Sequence, residues 1–296
     1  MELRVLRYFL TIAREGSITS AASVLHVTQP TLSRQIRDLE DELGQRLFVR
    51  SSHSVTLTPE GMLLRKRAEE ILDLVQKTEQ EFAQSDETIS GEVYIGAGET
   101  VGVHFLTRAA RRLREAYPDV HIHISSGDAT DVREELDKGL IDFGLLFAPV
   151  DLARYNAIHL PYRETWGVLM RCDSPLAQKP TVRFGDLVGQ PLIVSRQVFK
   201  TNRLQEWFGE SAGRLQVVGT YSLVYNGSLM VEDGMGYAIC LDGILNTGGD
   251  SPLCFRPLEP RQEAGMYIVW KKYQIFSPAA ERFLAVLRNT EKSGEQ

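Results

Sequence analysis

The chain has 296 residues, of which 43% are hydrophobic and 24% are charged, and its formal net charge is −6. This length and composition are typical of a globular protein with room for two or three domains, and they exclude a chain without a core. The negative charge argues against a nucleic-acid-binding protein unless it is unevenly distributed; residues 1–58 are nearly neutral, with seven basic and six acidic side chains.

No apolar run in the sequence approaches the length that spans a membrane, and charged residues interrupt the first ten positions. We therefore expect neither a membrane span nor a signal peptide. The three cysteines are odd in number and show no CxxC spacing, which predicts reduced thiols and a cytoplasmic protein.

Three short helices are predicted in the first 44 residues. The first runs from about Glu2 to Glu15, where apolar side chains recur at helical spacing, and it stops at Gly16. The stretch 17–44 then predicts two helices around a tight turn, because each has a hydroxyl residue at its start and the second has a proline in its first turn. This pattern predicts a helix-turn-helix at about 18–37.

The functional signal lies on the second of these two helices, on the face opposite its apolar stripe. At about 100° per residue, Pro30, Arg34 and Arg37 point away from the core. Guanidinium, amide and hydroxyl groups pair with base edges and phosphates in a major groove, and acidic residues begin only at Asp38. We therefore predict that the N-terminal half of this helix enters duplex DNA, the alternative being an ordinary amphipathic helix with a solvated polar face.

After Gly44, two short apolar runs flank a polar loop, which predicts a small β-wing whose tip could touch the DNA backbone or minor groove. The alternative is a solvated hairpin. A single head with so little positive charge would bind DNA weakly, so we expect a dimer that doubles the phosphate contacts. The residues predicted to contact DNA are Ser17, Thr19, Gln29, Pro30, Thr31, Ser33, Arg34, Arg50 and His53.

A long helix is predicted at 59–84, beginning with Thr58 as its cap and Pro59 in its first turn. Its apolar residues alternate at spacings of four and three, which predicts a heptad seam covered by the same helix of a second copy. The alternative is that the helix packs against the body of its own chain. Residues 85–91 lose the periodicity and are predicted to be a hinge. The seam consists of Leu64, Ala68, Ile71, Val75, Thr78 and Phe82.

From residue 92 onward the hydrophobic period changes, and short apolar strands alternate with helical stretches. VYIG is followed by a loop and by a helix from about Thr100 to Tyr117, and the alternation continues through WGVLM, PLIV, LQVVG and YAIC. MYIVW predicts one more strand, with an amphipathic helix from Ser277 to Arg288 behind it. Two α/β lobes in about 200 residues would enclose a ligand cleft at the carboxyl ends of their strands.

The first 60 or so residues resemble the LysR-type transcriptional regulators. The resemblance rests on many positions at fixed spacing, and the rest of the chain is similar to the effector domain of that family. The matching elements are Phe9, the S-x-T-x-AA-x-x-L run from Ser17 to Leu25, QPTLSRQIRDLEDELG from Gln29 to Gly44, RLFVR from Arg46 to Arg50, and LTPEG from Leu57 to Gly61.

The resemblance implies an α/β protein with an N-terminal winged helix-turn-helix in residues 1–58, a dimerising linker helix, and an effector-binding domain in residues 92–296. That domain would have two lobes like those of a periplasmic binding protein, lobe one from 92–161 and 267–296 and lobe two from 162–266. It also implies promoter DNA as partner, dimers that pair into tetramers, and a small ligand that changes the DNA bend. RNA polymerase is a further candidate partner, and no catalytic activity, cofactor or metal is expected.

The effector site is predicted in the cleft. The helix start at Thr100, behind Gly98 and Glu99, would favour an anion. Effector contacts in the family cluster at this loop, at the turn after the second strand and at a strand end in lobe two. A carboxylate ligand would be repelled by Glu99 and Asp128, so either these two point outward or the effector is neutral or cationic. The predicted contacts are Gly98, Thr100, Asp128, Thr130, Pro149, Ser195 and Arg196.

Parts of the sequence are compatible with three other functions. GAGETVG after a strand suggests a dinucleotide site, but Val101 stands where the fingerprint requires glycine. His121 and His123 alternate on one strand face and could bind a metal, although no third ligand is apparent. A solute-binding protein without regulation would fit the two lobes alone, but not the predicted helix-turn-helix.

Overall fold

The computed structural model describes residues 1–50, 54–83, 89–201 and 203–293 of the chain. They fall into two units, Met1–Ala83 and Gln84–Gln296. Within the described ranges, no helix is both long and apolar enough to span a bilayer. The predicted hinge lies largely outside the described residues.

The first unit is a three-helix head with a β-hairpin and a long helix. Gly16 and Gly44 end the first and third helices in the left-handed conformation (φ 62° and 64°), which glycine adopts without steric cost. Ser17 and Thr28 cap the helices that follow them, each accepting a hydrogen bond from the backbone N–H three residues on. The elements are α1 Leu3–Glu15, α2 Ile18–Val24, α3 Gln29–Leu43, β1 Phe48–Arg50, β2 Val55–Leu57 and α4 Pro59–Ala83.

The core of the head is built around Phe9, Leu32 and Ile36, which are fully buried. The last residue of the LTPEG motif, Gly61, must be glycine for a steric reason. A Cβ at this position would lie 2.1 Å from the backbone oxygen of Leu47. Helix α4 therefore starts in close contact with the segment before the wing, which only glycine permits without a backbone shift.

The predicted seam on α4 is partly wrong. Ala68 is fully buried in the head core of its own chain, and Leu64 and Ile71 pack against that core, so these three residues cover the head. The predicted seam and the contact with the head lie on the same face of α4. The head belongs to the same chain and therefore covers this part of the face before a second copy can. Further along α4, Val75 is half-buried and Phe82 is 87% exposed.

The second unit is an α/β fold with two lobes. In lobe one β3 lies parallel between β4 and β5, and in lobe two β8 lies parallel between β9 and β10. The strand order is β4-β3-β5-β11-β6-β10-β8-β9, with β7 paired to β11. The elements are β3 Gly91–Ala97, α5 Val103–Ala116, β4 Val120–Ser126, α6 Ala129–Lys138, β5 Phe143–Phe147, β6 Tyr155–Arg171, β7 Val182–Arg183, α7 Phe184–Leu187, β8 Pro191–Ser195, α8 Arg196–Lys200, α9 Arg203–Phe208, β9 Gln216–Tyr221, α10 Val224–Glu232, β10 Tyr237–Leu241, β11 Leu253–Lys271 and α11 Pro278–Ser293.

Two long antiparallel strands, β6 and β11, join the lobes. WGVLM and MYIVW, predicted as separate short strands, are the ends of these longer ones. Along β6 the side chains leave the core of lobe one after Tyr162 and enter that of lobe two at Trp166. Along β11 the change falls between Ala264 and Met266. Helix α11 returns to lobe one, where Phe283 is fully buried in the core.

Candidate functional site

The start of α3 presents an exposed polar surface. Gln29, Pro30, Thr31 and Arg34 are all exposed, and the side chain of Arg34 is 83% accessible. The Nε atom of Arg34 lies 3.8 Å from the Oδ2 atom of Asp38, one turn along the helix. Such an exposed pair is weak, so the guanidinium group can leave it for another anion at little cost.

Ser33 is a correction to the predicted DNA-binding set. Its side chain is only 5% exposed and belongs to the buried side of α3. Glu40, seven residues later on the same edge of the helix, is also buried, and it accepts hydrogen bonds from the backbone N–H groups of Leu47 and Phe48. Glu40 therefore holds the later part of this edge against the segment that begins the wing, and the burial of Ser33 leaves its hydroxyl group little surface for DNA.

The remaining predicted DNA contacts occupy different positions. Thr19 is exposed on α2, whereas the hydroxyl group of Ser17 is engaged in capping that helix. Arg50 ends β1, where its backbone pairs with Val55. His53 lies outside the described residues.

Exposed apolar side chains on α4 were missed by the sequence reasoning. Met62 and Leu63 are each 62% exposed, and Leu74 is 42% exposed. Leu63 and Leu74 are eleven residues apart and so share a helix face beside the predicted seam. Phe82, eight residues beyond Leu74, lies about 80° round the helix from it. These three side chains, which the rest of this unit leaves exposed, make up the open apolar surface of α4.

The cleft between the two lobes of the second unit contains a cavity of about 80 Å³. Its lining brings together four of the predicted effector contacts, Gly98, Asp128, Ser195 and Arg196. Thr100, Thr130 and Pro149 are absent from its described lining; Thr130 and Pro149 are exposed. The carboxyl ends of strands from both lobes therefore meet at one site.

The predicted anion site at Thr100 is wrong, because the chain fills it with its own carboxylate. Helix α5 begins at Val103, and the buried hydroxyl group of Thr100 donates to Oε1 of Glu164 on β6. The backbone N–H of Gly102 donates to the same oxygen at 3.0 Å. The free N–H groups that would have held an anion are thus satisfied from within the protein.

Glu164 is itself a buried carboxylate, 4% exposed. Its second oxygen, Oε2, has no hydrogen-bond partner among the residues that the structure describes. Burial raises the pKa of Glu164 above its ordinary value, and the hydrogen bonds from Thr100 and Gly102 offset only part of this effect.

A charge pair crosses the cleft from lobe one to lobe two. Asp128 caps α6 by accepting from the backbone N–H groups of Thr130 and Asp131, and its Oδ2 atom accepts from Nη2 of Arg196 at 2.8 Å. Arg196 also reaches Oδ2 of Asp131 at 3.1 Å. Burial acts to raise the pKa of Asp128, but the hydrogen bonds from Asp131 and Arg196 together lower it below its ordinary value.

A second link across the cleft comes from Glu99, whose carboxylate accepts from the backbone N–H of Val224 at the start of α10. Glu99 and Asp128 therefore face the cleft and are paired there, so neither points outward. No local pattern predicts either link, because the partners are 125 and 68 residues apart.

Other cleft residues were also missed by the sequence reasoning. Trp166 on β6 is 7% exposed, and its Nε1 atom has no acceptor within the described part of the chain. Arg203 donates to the backbone oxygen of Ala148 at 3.1 Å and lies over the ring of Trp207. Tyr221 donates its hydroxyl hydrogen to the backbone oxygen of Ile239.

The two histidines considered as metal ligands lie on β4. Nε2 of His123 is 3.6 Å from Oε2 of Glu92, and its ring stacks on Tyr94 at 4.9 Å between centroids. Among the residues described, no group of three or more histidine, cysteine or acidic side chains is placed to hold a metal ion.

Two family models match the chain. Residues 3–62 match the model described as bacterial regulatory helix-turn-helix protein, lysR family. Residues 86–292 match the LysR substrate binding domain. The two matched regions contain the exposed start of α3 and the whole lining of the cleft.

Known proteins are similar over most of the chain. The Hca operon transcriptional activator HcaR of Escherichia coli (strain K12) is 28% identical over 295 residues, which are 97% of each chain. The dual regulator OxyR of the same organism is 32% identical over 194 residues, 66% of this chain and 63% of that protein. The crystal structure of CbnR, a LysR family transcriptional regulator, has a TM-score of 0.75 at 20% identity, covering 98% of this chain and 99% of that one.

Proposed function

The chain belongs to the LysR family of transcriptional regulators, and from this premise we propose which of its residues meet DNA and effector. It is a DNA-binding regulator whose second unit is a small-molecule-binding domain. The proposal is that the exposed start of α3 binds promoter DNA, and that an effector in the cleft modulates this binding.

The observation that carries the DNA proposal is the exposed ridge of Gln29, Pro30, Thr31 and Arg34. An amide, a hydroxyl and a guanidinium group at the start of a helix are suited to base edges and phosphates in a major groove. Arg34 is the leading candidate, since its side chain is 83% exposed and only loosely paired. Thr19, Arg50 and His53 are proposed as further contacts.

We propose a second copy of the chain as the partner that covers the open apolar surface on α4. Exposed Leu63, Leu74 and Phe82 support this assignment, because such a surface is costly in water. A two-fold dimer would also double the phosphate contacts of a nearly neutral head. Pairing of dimers into tetramers and contact with RNA polymerase are proposals that rest on the family.

The effector proposal assigns the cleft to a small ligand contacted by Gly98, Asp128, Ser195 and Arg196. These residues line one cavity and come from both lobes, so a ligand there can change how the lobes close. Because the family consists of regulators and not enzymes, the cleft is assigned to binding alone.

The experiment that tests the DNA proposal compares Arg34→Ala with Arg14→Ala, an exposed arginine on α1, in gel shifts against DNA upstream of neighbouring genes. If Arg34 contacts a base, its loss costs about 1 to 3 kcal/mol of operator binding. If it contacts only a phosphate, the salt dependence becomes shallower by about one unit. Unchanged affinity together with an unchanged salt slope would exclude Arg34 from the interface.

A further inference from the structure

Each charged side chain in the described lining of the cleft already has a hydrogen-bond partner within the protein. The charged side chains in its described lining are two carboxylates, Glu99 and Asp128, and two guanidinium groups, Arg196 and Arg203. Asp128 pairs with Arg196, Glu99 accepts from the first backbone N–H of α10, and Arg203 donates to a backbone carbonyl between the lobes. The formal charges of the four sum to zero.

This pairing disfavours a charged ligand of either sign. An anion could take the place of Glu99 at the start of α10, or of Asp128 at Arg196, only by displacing that carboxylate, and it would then lie beside it. Two carboxylates in contact repel strongly where water is scarce. At Arg203 an anion would have to compete with the backbone oxygen of Ala148. A cation would have to compete with Arg196 for Asp128 or with the backbone N–H of Val224 for Glu99. An uncharged molecule enters without breaking either link.

The walls of the cleft are largely apolar and aromatic. They are suited to a hydrophobic body that displaces water from them. The side chains that supply this surface are Phe147, Val198, Tyr221, Leu241 and Ile244.

Trp166 supplies a polar group that the protein itself leaves without an acceptor. Its indole lines the cavity, packs against the ring of Trp207 at 5.0 Å between centroids, and is 7% exposed. The Nε1 atom is buried and donates to nothing in the described part of the chain. Because indole nitrogen is a donor only, what it requires is an acceptor oxygen or nitrogen.

We propose that the cleft takes a small uncharged molecule with an apolar body and one hydrogen-bond acceptor, which receives the N–H of Trp166. Ketones, esters and lactones are of this class, whereas carboxylates and amines of the same skeleton are not. The inference rests on the proposed function, in which the cleft is the effector site, and it names the chemical class of that effector.

The test uses the full-length protein and two series of probes that differ mainly in charge. The aromatic series is acetophenone, benzoate and benzylamine, and the alicyclic series is cyclohexanone, cyclohexanecarboxylate and cyclohexylamine. Binding is measured by calorimetry and by quenching of tryptophan fluorescence at pH 7.5. The expected result is that the ketone of at least one series binds at least tenfold more tightly than its carboxylate and its amine. Tighter binding of the ions, or no binding by any probe, overturns the proposal.

Two variants test the residues named. Trp166→Phe should weaken ketone binding about tenfold, because the donor is removed while the ring is kept, and Trp270→Phe in lobe one should leave it unchanged. Glu99→Gln keeps the acceptor for the N–H of Val224 but removes the charge, so it should tighten carboxylate binding about tenfold. Equal effects of the two tryptophan variants, or no gain in carboxylate binding by Glu99→Gln, count against the proposal.

Operator binding measured in the same samples separates this inference from the proposed function. Ketone binding without any change in operator affinity supports the ligand class and contradicts the regulation. Carboxylate binding that changes operator affinity overturns the ligand class and leaves the regulation standing.

Discussion

Glu164 lies in an environment that is unusual for a carboxyl group. A carboxylate 4% exposed, with one oxygen bonded to Thr100 and Gly102 and the other without a partner in the described structure, lies on the strand that joins the lobes. Its Oε1 atom occupies the place at the helix start that a ligand anion would otherwise take. This helix start is therefore not available to an anionic ligand.

The raised pKa of Glu164 predicts how stability depends on pH. A carboxyl group with a raised folded pKa contributes stability below its ordinary value of 4.5, and this contribution is lost as pH rises through the folded pKa. The loss is about 1.4 kcal/mol for each pH unit that separates the two pKa values. The free energy of unfolding, measured with urea at a series of pH values, should decrease less steeply with rising pH in Glu164→Gln than in the unmodified protein.

All three tryptophans lie in the second unit, so their fluorescence reports its unfolding. The exposed Glu206→Gln serves as the control and should keep the slope of the unmodified protein. A Glu164→Gln variant with that same slope would show that Glu164 is not the group responsible.

At the scale of the element, α4 divides its apolar side chains between two tasks. Leu64, Ala68 and Ile71 cover the core of the head, whereas Leu74 and Phe82 are left exposed. A single heptad stripe cannot separate these roles, because the face that packs on the head continues into the face that is open. A charge at Ile71 would disturb the head as well as any partner, so it cannot test dimerisation cleanly.

Paired substitutions on α4 should separate the two tasks. Ala68→Asp places a charge in the head core and should unfold the first unit, measured as lost helix signal in circular dichroism and increased protease sensitivity. Phe82→Asp changes a side chain that is 87% exposed and should leave the head folded while sedimentation velocity shows a shift from dimer to monomer. Glu79→Ala, an exposed polar change three residues earlier, should do neither. An intact dimer in Phe82→Asp would mean that this end of α4 is not the dimer contact.

At the scale of the whole molecule, two links between lobes hold the cleft of the second unit, Asp128 with Arg196 and Glu99 with the start of α10. The long strands β6 and β11 connect the lobes covalently, and the links add a contact that a ligand can change. A domain closed by a few polar contacts over a shared pair of strands can shift its opening in response to a small ligand.

Breaking one link should loosen the cleft. Asp128→Asn keeps a residue that can cap α6 but removes the charge that Arg196 meets, so hydrogen exchange should rise in α8 and in the loop before α6. Asp173→Asn, which removes an exposed pair with Arg171 within lobe two, should leave those segments unchanged. Because the pKa of Asp128 is lowered, the link persists above the ordinary value of 3.8 and is lost as pH falls through the folded value. The variant should therefore differ from the unmodified protein at neutral pH, and equal exchange there would contradict a role in closure.

Features that depend on neighbouring residues could be predicted from the amino-acid sequence. The caps at Ser17 and Thr28, the glycine stops and the alternation of strands and helices are local, because each is set by side chains within a few positions along the chain. The motif from Gln29 to Gly44 also placed the exposed ridge correctly, apart from Ser33. These signals were enough for the fold class and the family.

Features that join distant parts of the chain could not be predicted in this way and are seen only in the folded protein. Glu164 reaches Thr100 over 64 residues, Arg196 reaches Asp128 over 68, and Ala68 is buried by helices of the head that precede it. In each case a side chain that a local pattern leaves available is taken by a partner that folding brings near. Such pairings cost chain entropy and are fixed only when the whole fold forms, so no short stretch of sequence records them.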